Sequence, residues 1–459
     1  MEISNELIRK YNVPVPRYTS YPPANHFSGS FSREDHVRLL KESNQGSPRN
    51  IALYIHIPFC KKICFYCGCN ACSIGTGRLV KPYMEAVKKE ISIVAAYIDK
   101  DRPVSQVHYG GGTPNAIPLS LITELNEFLF NTFRFIEKPE IAIECNPALL
   151  DHAAADTLKR ARFNRFSLGI QDFDRDILRT VNRDPSALPE AELLAHLKEG
   201  EEGVTVNLDF MYGLPGQTVP GFARTIEQAI LLRPDRLVTF SYAHVPWLKK
   251  HQQILEKKGL PASDQKMAMF LEGHRLLCQA GYQPIGLDHY VLPGDELSEA
   301  LKNRMLHRNF QGYCTRRTTG QVYAFGASAI SQLEKGFSQN IIDPEAYITK
   351  MSQGIIPLEK GYGLSREEIL IGRVISEIMC NMHIDWLELS EQLGVSAEEL
   401  KSLLILHEGV LEEFAQDGLL EYSPSFLRVT PEGSLFVRNI AASLDPAYQS
   451  HTHQYSKSV

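Results

Sequence analysis

Five of the nine cysteines in this chain fall within thirteen residues, in the segment CKKICFYCGCNAC at 60–72. Cys60 is followed after three residues by Cys64 and after two more by Cys67, with Cys69 and Cys72 behind them. The others, Cys145, Cys278, Cys314 and Cys380, are scattered, and the odd total argues against a complete disulfide framework. Crowded thiolates are soft ligands suited to an iron–sulfur cluster or to zinc. Structural zinc sites take two separated Cys or His pairs, and no second pair follows here at such a spacing. Three thiolates on a four-iron cube leave one iron without a protein ligand, able to hold a small molecule and pass it an electron.

Other residues with chemical potential stand at comparable points. The GGGTP run at 110–114 lets backbone approach a ligand closely. It is not a phosphate-binding P-loop, because no Gly-Lys-Ser/Thr follows. Glu144 can take a ribose hydroxyl or an amino group, and Gln171, Arg183 and Asp209 add polar groups. Each alone reads as an ordinary loop residue; their common placement carries the weight.

That placement comes from a repeated pattern. Short runs rich in Val, Ile, Phe and Tyr occur at 51–59, 104–112, 140–147, 165–171, 204–215 and 236–246, each ending near Gly or Pro. Between them lie helical stretches; in 81–98, Met84, Val87, Ile91, Val94 and Ile98 recur at helical spacing. Six strand–helix units in series predict an α/β fold with a parallel sheet, a partial (β/α)6 TIM-type barrel, with a doubly wound open sheet as the second choice. In either, the strand C-termini form the active-site edge.

Four regions follow. Residues 1–50 read as an N-terminal arm with at most one helix, 51–300 as the barrel, and 301–360 as a connecting segment contributing to the substrate site. Residues 361–459 read as a mostly helical C-terminal domain whose helices and GLLEYSPSFLRVTPEG hairpin give it a winged-helix-like outline. The tail HTHQYSKSV at 451–459 reads as mobile.

The net charge of −6 gives no global reason to bind nucleic acid or an anionic membrane. The winged-helix-like region is more acidic still: residues 361–440 hold five Lys and Arg against fourteen Asp and Glu, a surface that repels phosphate. No signal peptide or membrane-length apolar run is present, so the cytoplasm is the expected location.

The cysteine spacing, with aromatic Tyr66 before the third Cys, resembles the signature of the radical S-adenosylmethionine superfamily. A narrower resemblance covers almost the whole chain. YNVPVPRYTSYP, LYIHIPFC, CGCN, GGGTP, NRFSLGIQDF, DFMYGLP, YAHVPW, LHRNFQGY and GASAIS are similar to segments of the oxygen-independent coproporphyrinogen III oxidase (coproporphyrinogen dehydrogenase) family. That resemblance implies a [4Fe–4S] cluster on Cys60, Cys64 and Cys67 and two molecules of S-adenosylmethionine. Tyr54, Gly111, Glu144 and Ile330 match positions around the first molecule. Tyr66, Gly112, Thr113, Gln171, Arg183, Asp209 and Ala243 match positions around the second. Cys69 matches a family cysteine that is not a ligand. No catalytic side chain is implied beyond the cluster and S-adenosylmethionine.

The implied reaction takes a hydrogen from the β-carbon of two propionates of coproporphyrinogen III. Loss of carbon dioxide and an electron from each leaves vinyl groups, giving protoporphyrinogen IX on the route to haem. The resemblance also implies a monomer and a reduced flavodoxin or ferredoxin-type electron donor. A substrate with four carboxylates needs guanidinium or imidazole partners, and Arg17, His307 and Arg308 are the candidates. Three other readings compete: a haem chaperone of the same superfamily, a haem-opening radical methyltransferase, and a cluster-bearing winged-helix regulator. Cys69 and the PRYTSYP arm speak against the chaperone, and the acidic C-terminal region against the regulator.

Overall fold

The computed structural model describes residues 4–200, 203–315 and 321–448; the 451–459 tail lies outside them. The six expected runs all form strands: β1 Ile51–Ile57, β2 Val104–Gly111, β3 Phe135–Cys145, β4 Arg165–Gln171, β5 Thr205–Tyr212 and β6 Arg236–Ser241. They are parallel and lie side by side in chain order. That order decides between the two candidate folds. A doubly wound sheet must reverse direction part-way, whereas sequential right-handed crossovers keep every helix on one face and curl the sheet into a partial barrel.

The sheet is larger than the six runs predict. It holds twelve strands, adding β7 Gln283–Ile285, β8 His289–Val291, β9 Gln321–Phe325, β10 Ile330–Leu333, β11 Gly336–Asn340 and β12 Leu358–Gly363. β9 pairs in parallel with β1, and β10 to β12 continue antiparallel from it. β8 and β7 extend the opposite edge beyond β6. The 301–360 stretch, read as a connecting segment, therefore carries β9 to β11 and part of β12. The arm also departs from expectation, with two helices, Asn5–Tyr11 and Arg33–Glu42, where at most one was expected. Ser32 and Asp35 form a reciprocal cap at the start of the second.

Alternation along the strands separates core from site. Ile51, Leu53, Ile55 and Ile57 of β1, with Val107, Tyr109, Ile143, Leu168 and Leu208, pack into one core cluster with the helices. Burying each such aliphatic side chain contributes about 1.5–3 kcal/mol. The helix expected across 81–98 spans Val80–Ala95, and all five marked apolar residues are buried, although Ile98 lies beyond its end. The intervening positions are polar: His56, His108, Glu144, Ser167, Asn207 and Asp209. They bond to one another or to loops rather than entering the core.

The N-terminal half of that polar face is closed by charge. Arg165 Nη1 donates to Glu140 at 2.9 Å, Gln106 Nε2 donates to the same carboxylate at 2.5 Å, and Arg236 Nε donates to Asp295 at 2.7 Å. The C-terminal half stays free of this plug. Beyond the sheet, helices from Arg366 to Gln416 and Val437–Leu444 surround a small three-stranded sheet of His383–Asp385, Phe426–Val429 and Leu420–Tyr422. They bury a second core that includes Tyr11, Val15, Tyr18 and Tyr21 of the arm.

Candidate functional site

The cysteine loop leaves β1 at the C-terminal edge of the sheet. Phe59–Cys60 pairs in parallel with Cys72–Ser73, which closes the loop on itself. Its inner wall is the GGGTP turn: Gly112 N–H donates to the Ile57 carbonyl at 2.8 Å and Thr113 N–H to the Phe59 carbonyl at 3.0 Å. The fit there is close. A methyl group on Gly112 would stand 2.7 Å from the Pro58 backbone and 3.0 Å from Cys60 Sγ. Gly111 has φ +111°, and a methyl group on it would lie 2.7 Å from the His56 ring.

The three thiols receive different support. Thr113 Oγ1 donates to Cys60 Sγ at 3.3 Å, although burial pushes this thiol up to about 11. Arg183 Nη1 donates to Cys64 Sγ at 3.6 Å. A contact from the Cys69 thiol brings Cys67 down to about 6 against burial, with the Lys249 and His251 charges assisting. Among the described residues no three His, Cys, Asp or Glu side chains converge on one ion-sized sphere. A zinc ion needs that convergence; a cube in which each thiolate takes its own iron needs a wider spread. The donor set and its spacing suit a cluster with one iron left to a non-protein ligand.

A ring of polar groups stands beside the loop. His56 Nε2 donates to the Asn70 carbonyl at 2.9 Å, which leaves Nδ1 to accept from Tyr54 Oη at 3.2 Å. The Tyr54 ring stacks 5.9 Å from His108, whose Nε2 lies 2.9 Å from Glu144. Burial would raise the Glu144 carboxyl, but His108 and the Gly111 N–H hold it below its ordinary value. Ser167 Oγ donates to Asp209 at 2.8 Å and Asn207 Nδ2 donates to it at 2.7 Å. Burial nonetheless pushes Asp209 up to about 6, with the charge of Glu144 adding to the shift.

Gln171 ends β4 with φ +73°, at a register shift against β5, and its buried Oε1 has no hydrogen-bond partner. Arg183 donates to the Gly169 carbonyl, while its buried Nε also lacks a partner. Orphaned polar atoms on a ligand-facing wall are what a polar small molecule would satisfy. Val322 of β9 faces Gln332 of β10, so the register sets Ile330 opposite Ala324, which itself pairs with Tyr54. Tyr66 packs against the cluster of Ile177, Val181, Leu214, Tyr242 and Leu255, and Ala243 is exposed just past β6.

Comparison with known proteins identifies this arrangement. Residues 54–229 match the Radical SAM superfamily model, and residues 364–436 match the HemN C-terminal domain. The oxygen-independent coproporphyrinogen III oxidase of Synechocystis sp. is 37% identical over 99% of this chain and 97% of its own length. That of Escherichia coli is 36% identical over 96% and 94%. The solved structure of Escherichia coli coproporphyrinogen III oxidase (HemN), described as a radical SAM enzyme, superposes with a TM-score of 0.88. It is 33% identical and covers 97% of this chain and 99% of that one. The chain belongs to the oxygen-independent coproporphyrinogen III oxidase family.

For an enzyme of this family, volume alone does not locate the chemistry. Clefts of about 780 and 1130 Å³ lie at the junction of arm and C-terminal domain and near the strand N-termini; Cys60, Cys64 and Cys67 line neither. The candidate carboxylate-binding residues stand at and beside the first of these clefts. Arg308 Nη1 donates to the Arg17 carbonyl at 2.9 Å, and its guanidinium lies 5.2 Å from the Tyr313 ring centre. His307 and Arg308 line the 780 Å³ cleft, and Arg17 lines a separate one of about 90 Å³. Sequence reading missed Arg438, which is buried beside them and donates to the Pro16 carbonyl at 3.0 Å. Burial, then the charges of Arg17 and Arg308, pull it down to about 9.

Sequence reading also missed the clamp on the cluster loop. Lys249 Nζ donates to the Cys69 carbonyl at 2.8 Å, His251 Nε2 to Cys67 at 2.8 Å, and Gln252 Nε2 to Tyr66 at 2.8 Å. Gln252 is fully buried and also accepts from Val245 N–H at 2.6 Å. Nothing in the run WLKKHQQ announces this, because the bonds go to carbonyls about 180 residues away. Gln252→Ala should leave those groups unsatisfied and cost about 2–3 kcal/mol. Thermal unfolding should show a lower midpoint, and iron retention during gel filtration should fall. An unchanged midpoint would dismiss the clamp.

Proposed function

We propose that Cys60, Cys64 and Cys67 hold a [4Fe–4S] cluster, and that the chain thereby decarboxylates two propionates of coproporphyrinogen III to the vinyl groups of protoporphyrinogen IX. The observation that carries this is the seating of three differently supported thiols on one loop at the parallel-sheet edge, with Cys60 against the glycine turn. When bound, the cluster and S-adenosylmethionine supply an electron and a 5′-deoxyadenosyl radical. Everything else is positioning by the protein.

In this reading Arg183 and Thr113 steady the thiolates as ligands, and the clamp of Lys249, His251 and Gln252 fixes the loop. Tyr54, Gly111, Glu144 and Ile330 line the first S-adenosylmethionine. Tyr66, Gly112, Gln171, Asp209 and Ala243, with Thr113 and Arg183 again, line a second. The unpartnered atoms of Gln171 and Arg183 support a polar ligand at that second position. Arg17, His307 and Arg308 receive substrate carboxylates. The crowding of Arg17, Arg308 and Arg438 supports this, since like charges gathered around residues 15–17 gain from an anion between them.

The matched spans support a division into arm, barrel, connecting stretch and C-terminal domain. We also infer that the enzyme acts as a monomer in the cytoplasm and takes its electron from a flavodoxin- or ferredoxin-type carrier. Among the described residues no helix is long and apolar enough to cross a membrane.

The deciding experiment is anaerobic incubation of reconstituted protein with S-adenosylmethionine, a reductant and coproporphyrinogen III. Protoporphyrinogen IX and two equivalents of carbon dioxide should appear. Stable haem binding without turnover would favour a chaperone instead.

Asp209 gives a pH test. A cationic ligand needs its carboxylate, and a group titrating at about 6 must lose its proton before binding below that pH. Affinity for S-adenosylmethionine should be flat above about pH 7 and fall nearly tenfold per unit below about 6. Calorimetry at stepped pH checks this, and Asp209→Asn should flatten the curve.

A further inference from the structure

Trp247 and Leu248 are 64% and 71% exposed, and Ile254 is 38% exposed. Three of the nine exposed large hydrophobic side chains among the described residues thus fall in eight consecutive positions. Scattered exposed apolar residues need no explanation, but a concentration of them does.

This stretch is the one bonded to the cluster loop. Lys249, His251 and Gln252 reach the carbonyls of Cys69, Cys67 and Tyr66. It is also basic. Lys249, Lys250, Lys257 and Lys258 lie on it, and Lys61 and Lys62 lie on the loop. Lys258 stands 5.8 Å from the centre of the Phe65 ring, which ties the far end of the stretch to the same loop. Two acids stand among them, Glu256 2.8 Å from His244 and Asp184 2.7 Å from Lys62, which leaves six lysines against two carboxylates. In a chain of net charge −6, this is a local reversal of sign.

We propose that the Trp247–Leu248 face, with the lysines of this stretch and of the cysteine loop bonded to it, is the docking surface for a small acidic one-electron carrier protein. The proposal rests on the cluster ligation argued above. One electron leaves the carrier and one enters the cluster, with no bond made or broken. Such encounters use small interfaces in which an aromatic anchor holds the partner and complementary charge steers it. The hydrogen-bonded run from Lys249 to Gln252 then brings the docked carrier against the cluster loop itself. The four-carboxylate substrate would also suit an apolar face with lysines beside it, but its carboxylates are assigned above to Arg17, His307 and Arg308, and turnover with a chemical reductant separates the two occupants.

The test uses reconstituted protein and flavodoxin as the acidic carrier. A variant combining Trp247→Ser, Lys250→Glu and Lys257→Glu is compared with Leu231→Ser, which changes a residue 85% exposed on another helix. Calorimetry should show flavodoxin binding weakened at least about tenfold in the triple variant, with the salt dependence of wild type largely lost. Cluster bleaching by reduced flavodoxin should slow to match. Iron content, bleaching by dithionite and turnover with dithionite should stay at wild-type values, and Leu231→Ser should change nothing.

Unaltered flavodoxin affinity in the triple variant would overturn the proposal, as would failure of flavodoxin to bind wild type. So would an equal loss of dithionite-driven turnover, which would assign the face to substrate. Wild-type protein that takes up no cluster would instead defeat the ligation reading beneath it.

Discussion

Cys64→Ser should lose cluster and activity together. The Cys64 thiol sits on a loop closed by the pairing of Phe59–Cys60 with Cys72–Ser73, and receives the Arg183 guanidinium at 3.6 Å. A serine oxygen is harder, shorter and far less acidic than a thiol, so one corner of the cube loses its ligand. Iron and sulfide after anaerobic reconstitution should drop to background. Product formation should fall well beyond the roughly 100-fold that changes outside the ligand sphere cost. Cys72→Ser makes the comparison: its backbone N–H pairs with the Pro58 carbonyl whatever the side chain, so iron content should change little. Retained turnover in Cys64→Ser would end the proposed ligation.

Gly112→Ala should have the second-largest effect, although it removes no functional group. The added methyl would meet the Pro58 backbone at 2.7 Å and Cys60 Sγ at 3.0 Å. The Pro58 contact is with backbone, which cannot swing aside as a side chain can, so the turn or the cysteine loop must move. Overpacking of this kind costs about 1–3 kcal/mol in stability, which a domain of this size survives. Its larger effect is on geometry: iron retention and S-adenosylmethionine affinity should each fall by about 10- to 100-fold. Gly68→Ala, in the same loop, would meet nothing within 4 Å and should behave as wild type. Equal behaviour of the two variants would show that the glycine wall does not shape the site.

Much of this site is legible in the chain because its chemistry is local. Cys60, Cys64 and Cys67 lie within eight residues, and their spacing fixes which element must carry them. Glu144, Gln171 and Asp209 could be placed on one edge because parallel strands joined by helices all end on the same side. The clamp formed by Lys249, His251 and Gln252, and the burial of Arg438 beside Arg17, left no such mark. Those contacts join residues about 180 and 420 positions apart, and their side-chain types are common on any surface.

The fold divides in the same way. The β-rich runs that become β1 to β6 and the helical period in 81–98 are short-range patterns, so the sequence alone determined the strand–helix series and the edge where ligands gather. The strands of three to six residues from β7 to β12 are too brief for a period to declare itself, and only pairing with β1 and β6 makes them a sheet. Tertiary structure alone decided that the sheet widens to twelve strands, that its lower half is closed by Glu140, Arg165 and Arg236, and that the arm joins the C-terminal core. The physical reason is common to all three. Hydrogen-bond partners and charges that meet across the fold depend on where distant segments come to rest, and no local spacing encodes that.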